Sequence, residues 1–314
     1  MTKLRIGFAG TPDFGIPCLE ALLGSKHSLD VIYTQPDRPA GRGRKLMPSA
    51  VKLWGQSHGI RVFQPLNFKD PEATATFVAH ALDILVVIAY GLILPKRILS
   101  APIYGCINVH ASLLPHWRGA SPIQHAILHG DAQSGITLMQ MNQGMDTGDI
   151  LTQTAIPIPA DFTSRALHDA LAFIAPDSLM AVLDNIPYVL ENARKQDDSA
   201  ATYAPKIAKQ DARIDWHQSM ETIDRQIRAY NPWPVAYTTH ADLTLRIHQA
   251  HPLSTQSNLP AGTLVRIDNN SLVVSTSTQD LALDVIQFPG KNPVNIADWS
   301  KSHKRQVYEG MQFT

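Results

Sequence analysis

Short apolar runs and stretches with helical spacing alternate along the first 190 residues. The apolar runs are typical of buried strands and lie at 4–9, 31–33, 61–63, 83–90 and 105–110. A further pair of strands is predicted at 135–141 and 150–158, and residues 163–191 are predicted to be mostly helical, with breaks at Pro176 and Pro187. This alternation predicts an α/β fold with a Rossmann-like, mostly parallel sheet that helices cover on both faces.

The pattern changes after residue 191. Residues 192–201 are polar and have no apolar period, which predicts an exposed linker. One predicted helix at 220–229 is followed by short β-rich runs with turn signals between them, which favour a small β-barrel similar to the OB-fold. We therefore expect a larger α/β domain at 1–190, a linker at 191–205 and a smaller β-barrel domain at 206–314.

Composition narrows the class of protein. Apolar residues make up 44% of the chain and charged residues 17%, while 27 basic residues balance 27 acidic ones. This excludes a disordered chain, and zero net charge argues against a surface coated in basic residues, although it leaves room for a local patch. No run reaches the about 18 uncharged apolar residues of a membrane span. Because the N-terminus also lacks a secretory signal, we expect a cytoplasmic protein without a membrane partner.

Two familiar binding motifs are incomplete. Gly10 and Gly15 have the spacing of a phosphate-binding loop, but the Lys and the Ser or Thr that should follow are missing. We expect a tight turn at the rim of the sheet instead. His125 and His129 share one face of a predicted helix, but no zinc motif surrounds them, so we expect two surface histidines and no metal site.

One strand end carries candidate chemistry. Asn108 and His110 are two residues apart on the strand predicted at 105–110, so their side chains point to the same face. They lie at its C-terminal end, where open α/β sheets bind ligands. An amide N–H beside an imidazole can polarise a carbonyl group and stabilise an oxyanion. For these two residues alone, a satisfied polar pair at a strand end is an equally good interpretation.

A carboxylate stands in a glycine-flanked turn further along the chain. Asp146 lies between Gly144 and Gly148, which allow a tight backbone that holds the side chain in a cleft. A carboxylate near an imidazole orients the ring and stabilises its charged form. Taken by itself, Asp146 is more simply interpreted as an ordinary hairpin aspartate.

Three separated segments together resemble the family of formyltransferases that use 10-formyltetrahydrofolate. The shared segments are Asn108-x-His110, the Ser-Leu-Leu-Pro loop at 112–115, and Asp146 in Met-Asp-Thr-Gly. The similarity extends over the whole chain and includes 10–14, 37–46 and 231–234. His116 and His125 stand where the family often has arginine, so neither position supplies a fixed positive charge.

The resemblance implies a reaction and a role for each residue. The α-amino group of methionine esterified to initiator tRNA would attack the formyl carbon of 10-formyltetrahydrofolate, giving N-formylmethionyl-tRNA for translation initiation. Asn108 would donate to the formyl oxygen as it becomes negative, His110 would help to move the proton, and Asp146 would orient His110. The residues implied to line the folate pocket are Ser112, Leu113, Leu114 and Pro115. No metal is implied, and we expect a monomer.

A basic loop follows the second predicted strand. Between residues 35 and 52, five basic residues stand against one acidic residue, a local net charge of +4. The resemblance implies that this loop enters the acceptor stem of the tRNA and contacts phosphates, with Arg42 as the inserting residue. The β-barrel domain carries only a slight basic excess, so one face of it is expected to touch the nucleic acid. The predicted tRNA contacts are Arg38, Arg42, Arg44, Lys45, Lys206 and Lys209.

Three other functions fit part of the pattern. The nearest is a formyltransferase of the same architecture that acts on an amino sugar nucleotide, although it would not need the basic loop. A glycinamide ribonucleotide formyltransferase would leave the second domain without a purpose. A non-catalytic RNA-binding protein would have no need for Asn108, His110 and Asp146.

Overall fold

The computed structural model describes residues 3–40, 45–301 and 306–314. The described strands are β1 (Arg5–Gly10), β2 (Ser28–Tyr33), β3 (Arg38–Ala40), β4 (Lys45–Met47), β5 (Val62–Phe63), β6 (Ile84–Ile88), β7 (Cys106–His110), β8 (Arg118–Gly119), β9 (Gln133–Gln140), β10 (Ile150–Pro157), β11 (Tyr203–Ala204), β12 (Ala236–His240), β13 (Leu243–Pro252), β14 (Leu264–Ile267), β15 (Leu272–Val274), β16 (Leu281–Gln287) and β17 (Val294–Asn295). The described α-helices are α1 (Ile16–Leu23), α2 (Ala50–Ser57), α3 (Pro71–Ala79), α4 (Lys96–Leu99), α5 (Pro122–Leu128), α6 (Ser164–Asp184), α7 (Ile186–Glu191), α8 (Met220–Ala229) and α9 (Ile296–Trp299).

The chain folds into two compact units. Within the described residues, the first unit comprises the stretches Met1–Pro122, Gln133–Pro157 and His168–Ala204. The second comprises Ile123–Ala132, Ile158–Leu167 and Pro205–Thr314. The polar residues that follow α7 therefore belong to the first unit as far as Ala204.

The first unit is built on a seven-stranded sheet with the strand order β10-β9-β7-β6-β1-β2-β5. Neighbours among β1, β2, β5, β6 and β7 are parallel, while β9 and β10 are antiparallel additions at one edge. Strand β6 is buried at every residue, as its unbroken Ile, Leu and Val sequence predicts. The predicted α/β fold, mostly parallel sheet and strand pair are confirmed. The C-terminal ends of β1, β6 and β7 share one edge of the sheet.

The second unit contains a curled antiparallel sheet with the strand order β12-β13-β16-β15-β14. Its two outer strands are joined by the last residues of the chain. On one side, the N–H of Leu264 on β14 donates a hydrogen bond to the carbonyl oxygen of Met311 at 2.8 Å. On the other side, the N–H of Thr314 donates to the carbonyl oxygen of Thr239 on β12, also at 2.8 Å. The short strands predicted from their spacing are confirmed, and the terminal segment bridges the sheet edges.

Helix α6 continues through a proline that was predicted to break it. The helical conformation is interrupted at Asn185 instead, between α6 and α7, and Pro187 lies in the first turn of α7. A first turn tolerates proline because the N–H that proline lacks has no partner there. Along α6, Leu171 and Leu179 are buried, so packing of this helix outweighs the hydrogen bond lost at Pro176.

Helix α6 is also long and apolar enough to cross a membrane, judged by length and composition alone. Sequence inspection did not anticipate this because Asp169 and Asp177 interrupt the apolar run. Part of the helix is buried, including the side chains of Leu167 and Val182, whereas Phe173 is exposed. A core helix of a soluble protein passes the same test of length and composition.

Both cysteines are buried, Cys18 on α1 and Cys106 on β7. Burial raises the pKa of each thiol to about 12, because the thiolate would lose its solvation. We expect a chromogenic disulfide reagent at pH 8 to label neither thiol in the native protein and both after denaturation. Rapid labelling of the native protein would contradict the burial of these groups.

Candidate active site

The carboxyl end of β7 places the first two candidate residues. Asn108 and His110 are both buried, and β7 is fixed between β6 and β9. The pleat of the strand therefore turns both side chains to the same face, as expected from their spacing. Asn108 Nδ2 donates to Asp146 Oδ1 over 3.4 Å, a long hydrogen bond.

Asp146 lies in the turn between β9 and β10 and contacts both residues of β7. Its φ of +55° is in the left-handed region, which aspartate tolerates better than most side chains. Its Oδ2 accepts a hydrogen bond from Gly119 N–H at 2.8 Å and lies 3.8 Å from His110 Nδ1. The structure therefore brings the three predicted catalytic residues into one cluster.

The turn approaches β9 so closely that residue 148 must be glycine. A Cβ on Gly148 would lie 1.7 Å from the carbonyl oxygen of Gln140 and 2.8 Å from its carbonyl carbon. Both atoms belong to the backbone, so no side-chain rotation would relieve the clash. Gly148 thus sets how far the turn reaches back toward the cluster.

The imidazole of His110 is oriented by two oxygen atoms. Its Nε2 lies 3.0 Å from the carbonyl oxygen of Trp117. A carbonyl oxygen only accepts, so Nε2 carries a proton in this arrangement. Nδ1 faces the carboxylate of Asp146, and a second proton on the ring would lie between the two side chains. The ring can therefore hold or release a proton on the side of the cluster.

The loop predicted to line the folate pocket follows His110 directly. Thr137 on β9 accepts from Leu114 N–H at 3.0 Å and donates to the carbonyl oxygen of Ser112 at 2.6 Å. Ser112 and Leu114 are buried, whereas Leu113 and Pro115 are partly accessible. The sheet thus holds this loop beside His110, and its accessible apolar side chains are Leu113 and Pro115.

Sequence analysis missed a segment that contacts the cluster, named here the strap and defined as residues 194–204. In the strap, Gln196 Nε2 donates to the carbonyl oxygens of Asp146 at 2.9 Å and Gly148 at 2.7 Å. Further along, β11 pairs in parallel with β8, just after the predicted folate loop. The strap therefore binds the turn that carries Asp146 and the segment that follows His110.

A buried arginine joins the strap to the same place. Arg118 is 2% exposed, and its Nε and Nη2 donate to Gln196 Oε1 at 3.0 and 2.8 Å. Its Nη2 also donates to Asp198 Oδ1 at 2.7 Å. Arginine is almost never fully buried without partners, and nothing in the polar run around Gln196 distinguishes it from a solvated linker. No sequence signal would have identified this pair.

The basic loop is a hairpin where it is described. Strands β3 and β4 pair antiparallel, with Arg38 opposite Met47. The prolines that exclude a helix here did not indicate this pairing, because an edge hairpin tolerates proline where no ladder N–H is needed. Arg38 and Lys45 are exposed on the hairpin, while the predicted contacts Arg42 and Arg44 lie outside the described residues.

Lys52 on α2 is the fifth basic residue of region 35–52, and Lys206 and Lys209 are the remaining predicted tRNA contacts. Lys52 Nζ lies 2.7 Å from Asp37 Oδ2, and hydrogen bonds from Lys52 and Gln64 hold the pKa of Asp37 below its ordinary value. The acidic residue of this region is therefore paired with a basic one. Lys206 and Lys209 are exposed in the second unit.

Among residues 3–40, 45–301 and 306–314, no group of three or more His, Cys, Asp or Glu side chains is arranged to hold a metal. His125 Nε2 lies 3.2 Å from the carbonyl oxygen of Pro205, and His129 Nδ1 lies 2.9 Å from that of His125. Backbone contacts therefore account for one ring nitrogen of each of these two histidines.

The cluster combines three chemical abilities. The Asn108 amide supplies an N–H donor, the His110 ring holds or passes a proton, and the Asp146 carboxylate stabilises positive charge on that ring. Asn108 and His110 are buried and the Asp146 side chain is 16% exposed, and this partial exclusion of water strengthens their electrostatic effects. Such a site can stabilise the oxyanion of a tetrahedral intermediate in acyl transfer.

Comparison with known proteins places the chain. A formyl transferase family model matches residues 4–183, and the model of the formyl transferase C-terminal domain matches residues 206–304. This chain belongs to the formyl transferase family. A methionyl-tRNA formyltransferase of Legionella pneumophila is 53% identical over 99% of both chains. Another methionyl-tRNA formyltransferase, from Hydrogenovibrio crunogenus, is 45% identical over 96% of both.

Solved structures share the fold of this formyl transferase at low identity. An N-formyltransferase from Helicobacter canadensis, crystallised with folinic acid and dTDP-3-aminofucose, has a TM-score of 0.65 at 18% identity, covering 89% of this chain and 98% of that one. HypX from Aquifex aeolicus, in complex with tetrahydrofolic acid, has a TM-score of 0.65 at 14% identity. The alignment with HypX covers 96% of the present chain and 47% of HypX.

Proposed function

We propose that this formyl transferase moves the formyl group of 10-formyltetrahydrofolate to the α-amino group of methionyl-tRNA. The observation that carries the proposal is the 53% identity, over 99% of the chain, to a protein with that activity in its name. The convergence of Asn108, His110 and Asp146 supports the same chemistry. A cytoplasmic location and a monomeric state stay predictions.

In the proposed reaction, the uncharged amine of the methionyl ester forms a C–N bond to the formyl carbon. The carbonyl electrons move to oxygen, where the Asn108 amide donates to the developing negative charge. The C–N10 bond of the folate then breaks, N10 gains a proton, and the attacking nitrogen loses one. His110 is the proton-bearing side chain of this cluster, and Asp146 stabilises its charged form.

The donor assignment rests on the loop beside the cluster. A pterin has flat aromatic faces and edges rich in hydrogen-bonding groups, and the accessible side chains of Leu113 and Pro115 suit contact with such a face. Two proteins with this fold were solved with folate compounds, folinic acid and tetrahydrofolic acid. These observations support a folate-derived formyl donor.

The decisive experiment offers one labelled donor to two acceptors. Purified protein is incubated with formyl-labelled 10-formyltetrahydrofolate and either methionyl initiator tRNA or a dTDP-amino sugar. We expect label in methionyl-tRNA and none above background in the sugar nucleotide. Transfer to the sugar alone would favour the amino sugar alternative, and transfer to neither would refute formyl transfer to both acceptors.

The basic hairpin predicts a tRNA-specific effect. Arg42→Ala should raise the KM for methionyl-tRNA about tenfold, because one charge-assisted phosphate contact is lost. The slope of affinity against salt should fall by about one unit, since fewer counterions are released. Lys3→Ala is a matched control, because Lys3 precedes the amino end of β1, whereas the basic hairpin follows the carboxyl end of β2.

Steady-state kinetics at several salt concentrations measure both quantities. The KM for the folate donor should be unchanged in both variants. An unchanged KM for methionyl-tRNA in Arg42→Ala would remove the inserting role from this residue.

A further inference from the structure

The turn that carries Asp146 is held from the strap. A left-handed backbone at a residue other than glycine persists only where surrounding contacts fix it. Here a single side-chain amide bridges the carbonyl groups of Asp146 and Gly148, at 2.9 and 2.7 Å from Gln196 Nε2. The main chain on both sides of residue 147 is thereby tied to the strap.

The orientation of the Gln196 amide is fixed by chemistry. The guanidinium of Arg118 has only donors, so the amide oxygen must face it, and the amide nitrogen must face the two carbonyl groups. Each N–H of the amide has a carbonyl acceptor, and the oxygen accepts two hydrogen bonds from one guanidinium. A reversed amide would place donors against donors and oxygen against oxygen. Gln196 therefore has one workable orientation.

The contacts close into a ring around Asp146. Arg118 is fixed by burial and by Asp198, and it orients Gln196, which holds the backbone of Asp146. The next residue after Arg118 is Gly119, whose N–H donates to the Asp146 carboxylate at 2.8 Å. The two residues of β8 thus hold both parts of Asp146. Arg118 holds its main chain through Gln196, and Gly119 holds its carboxylate.

We propose that Arg118 and Gln196 form a positioning clamp that fixes the Asp146 carboxylate against Asn108 and His110. The inference rests on the function proposed above. The carboxylate makes a long hydrogen bond to Asn108 at 3.4 Å and lies 3.8 Å from His110, just beyond hydrogen-bond distance. A shift of the turn by a fraction of an ångström therefore decides whether these contacts form. Neither clamp side chain is a catalytic residue.

Removing the clamp should affect the chemical step. Gln196→Ala is expected to lower kcat about 10- to 100-fold, as small misplacements of a reacting group do, with KM for both substrates nearly unchanged. Gln196→Met keeps the side-chain volume and removes the hydrogen bonds, and it should behave in the same way. Asp197→Asn is the matched control, because the Asp197 side chain accepts hydrogen bonds within the strap, from Ser199.

A double-mutant cycle separates positioning from general stabilisation. In an Asp146→Asn background, followed by single-turnover formyl transfer, Gln196→Ala should cause no further loss of rate beyond about twofold. That result is expected because the clamp acts through a carboxylate that is no longer there. If the two losses multiply instead, the clamp is merely structural and the inference is overturned.

Hydrogen exchange tests the clamp without any substrate. The amide of Gly119, bonded to Asp146 Oδ2, should exchange at least about tenfold faster in Gln196→Ala and Gln196→Met than in the wild type. The exchange rates of amides in the β6–β7 pair should be unchanged in both Gln196 variants. In Asp197→Asn, the exchange rate of the Gly119 amide should also match that of the wild type. An unaltered Gly119 amide would overturn the clamp even if the wild type formylates methionyl-tRNA. Absence of formylation by the wild type would refute the proposed function and leave this exchange result to judge the clamp.

Discussion

His110→Ala is expected to lower kcat for formyl transfer about 10²- to 10⁴-fold, the range that a positioned proton-transfer group contributes. The His110 ring carries a proton on Nε2, held by the Trp117 carbonyl, and presents Nδ1 to Asp146. Alanine removes this proton-bearing group and leaves β7 intact, because the strand is held by backbone pairing with β6 and β9. Binding of methionyl-tRNA should therefore stay close to that of the wild type.

Single-turnover formyl transfer and filter binding measure the two properties separately. Asp146→Ala should follow His110→Ala in losing turnover but not tRNA binding, whereas Asn108→Ala should lose about 10²- to 10³-fold in kcat, as removal of one oxyanion donor does. His58→Ala, which removes an exposed imidazole after α2, serves as the control. Parallel loss of turnover and tRNA binding would show that these residues maintain the fold instead.

Gly148→Ala should disable the site by a different route. The added Cβ would lie 1.7 Å from the Gln140 carbonyl oxygen, so the turn between β9 and β10 must open. Forcing a methyl group against backbone is expected to cost about 3 kcal/mol of folding free energy. Opening the turn also withdraws the Gly148 carbonyl from Gln196 and displaces Asp146. We expect a lower melting temperature together with nearly complete loss of formyl transfer.

A second glycine in the same turn provides the control. The Cβ of Gly144→Ala would meet the Thr147 side chain, which can rotate away, instead of backbone. This variant should therefore lose far less stability and keep measurable activity. Thermal unfolding and formyl transfer of both variants test the comparison. Equal behaviour of the two would mean that the approach of residue 148 to β9 does not control the site.

The parts of the fold that follow from local pattern were predictable. Strand β6 is apolar throughout and fully buried, and Asn108 and His110 alternate with apolar residues along β7. Pro176 misled the prediction, because its local penalty says nothing about the packing that Leu171 and Leu179 contribute to the same helix. The β3–β4 hairpin was missed for a similar reason, since prolines exclude a helix without specifying a strand.

The residues of the site also divide into those that the sequence predicted and those that it did not. Asn108 and His110 were placed by strand periodicity, and Asp146 was linked to them through the family resemblance. Gln196 and Arg118 were not, because their contacts join residues 78 apart in the chain and depend on burial of a side chain that is usually exposed. Periodicity reports which face a residue occupies, but it carries no information on which distant polar group satisfies it.

The proposed clamp lies partly beyond the residues that the first family model matches. A fragment that ended with that match, at residue 183, would retain Asn108, His110 and Asp146 but lose Gln196. Under the proposed clamp, recombination that replaces the chain from a point before Gln196 is expected to lower turnover about 10- to 100-fold. The proposed clamp thus makes a polar stretch with the pattern of a linker part of the segment that must be inherited together with Asn108, His110 and Asp146.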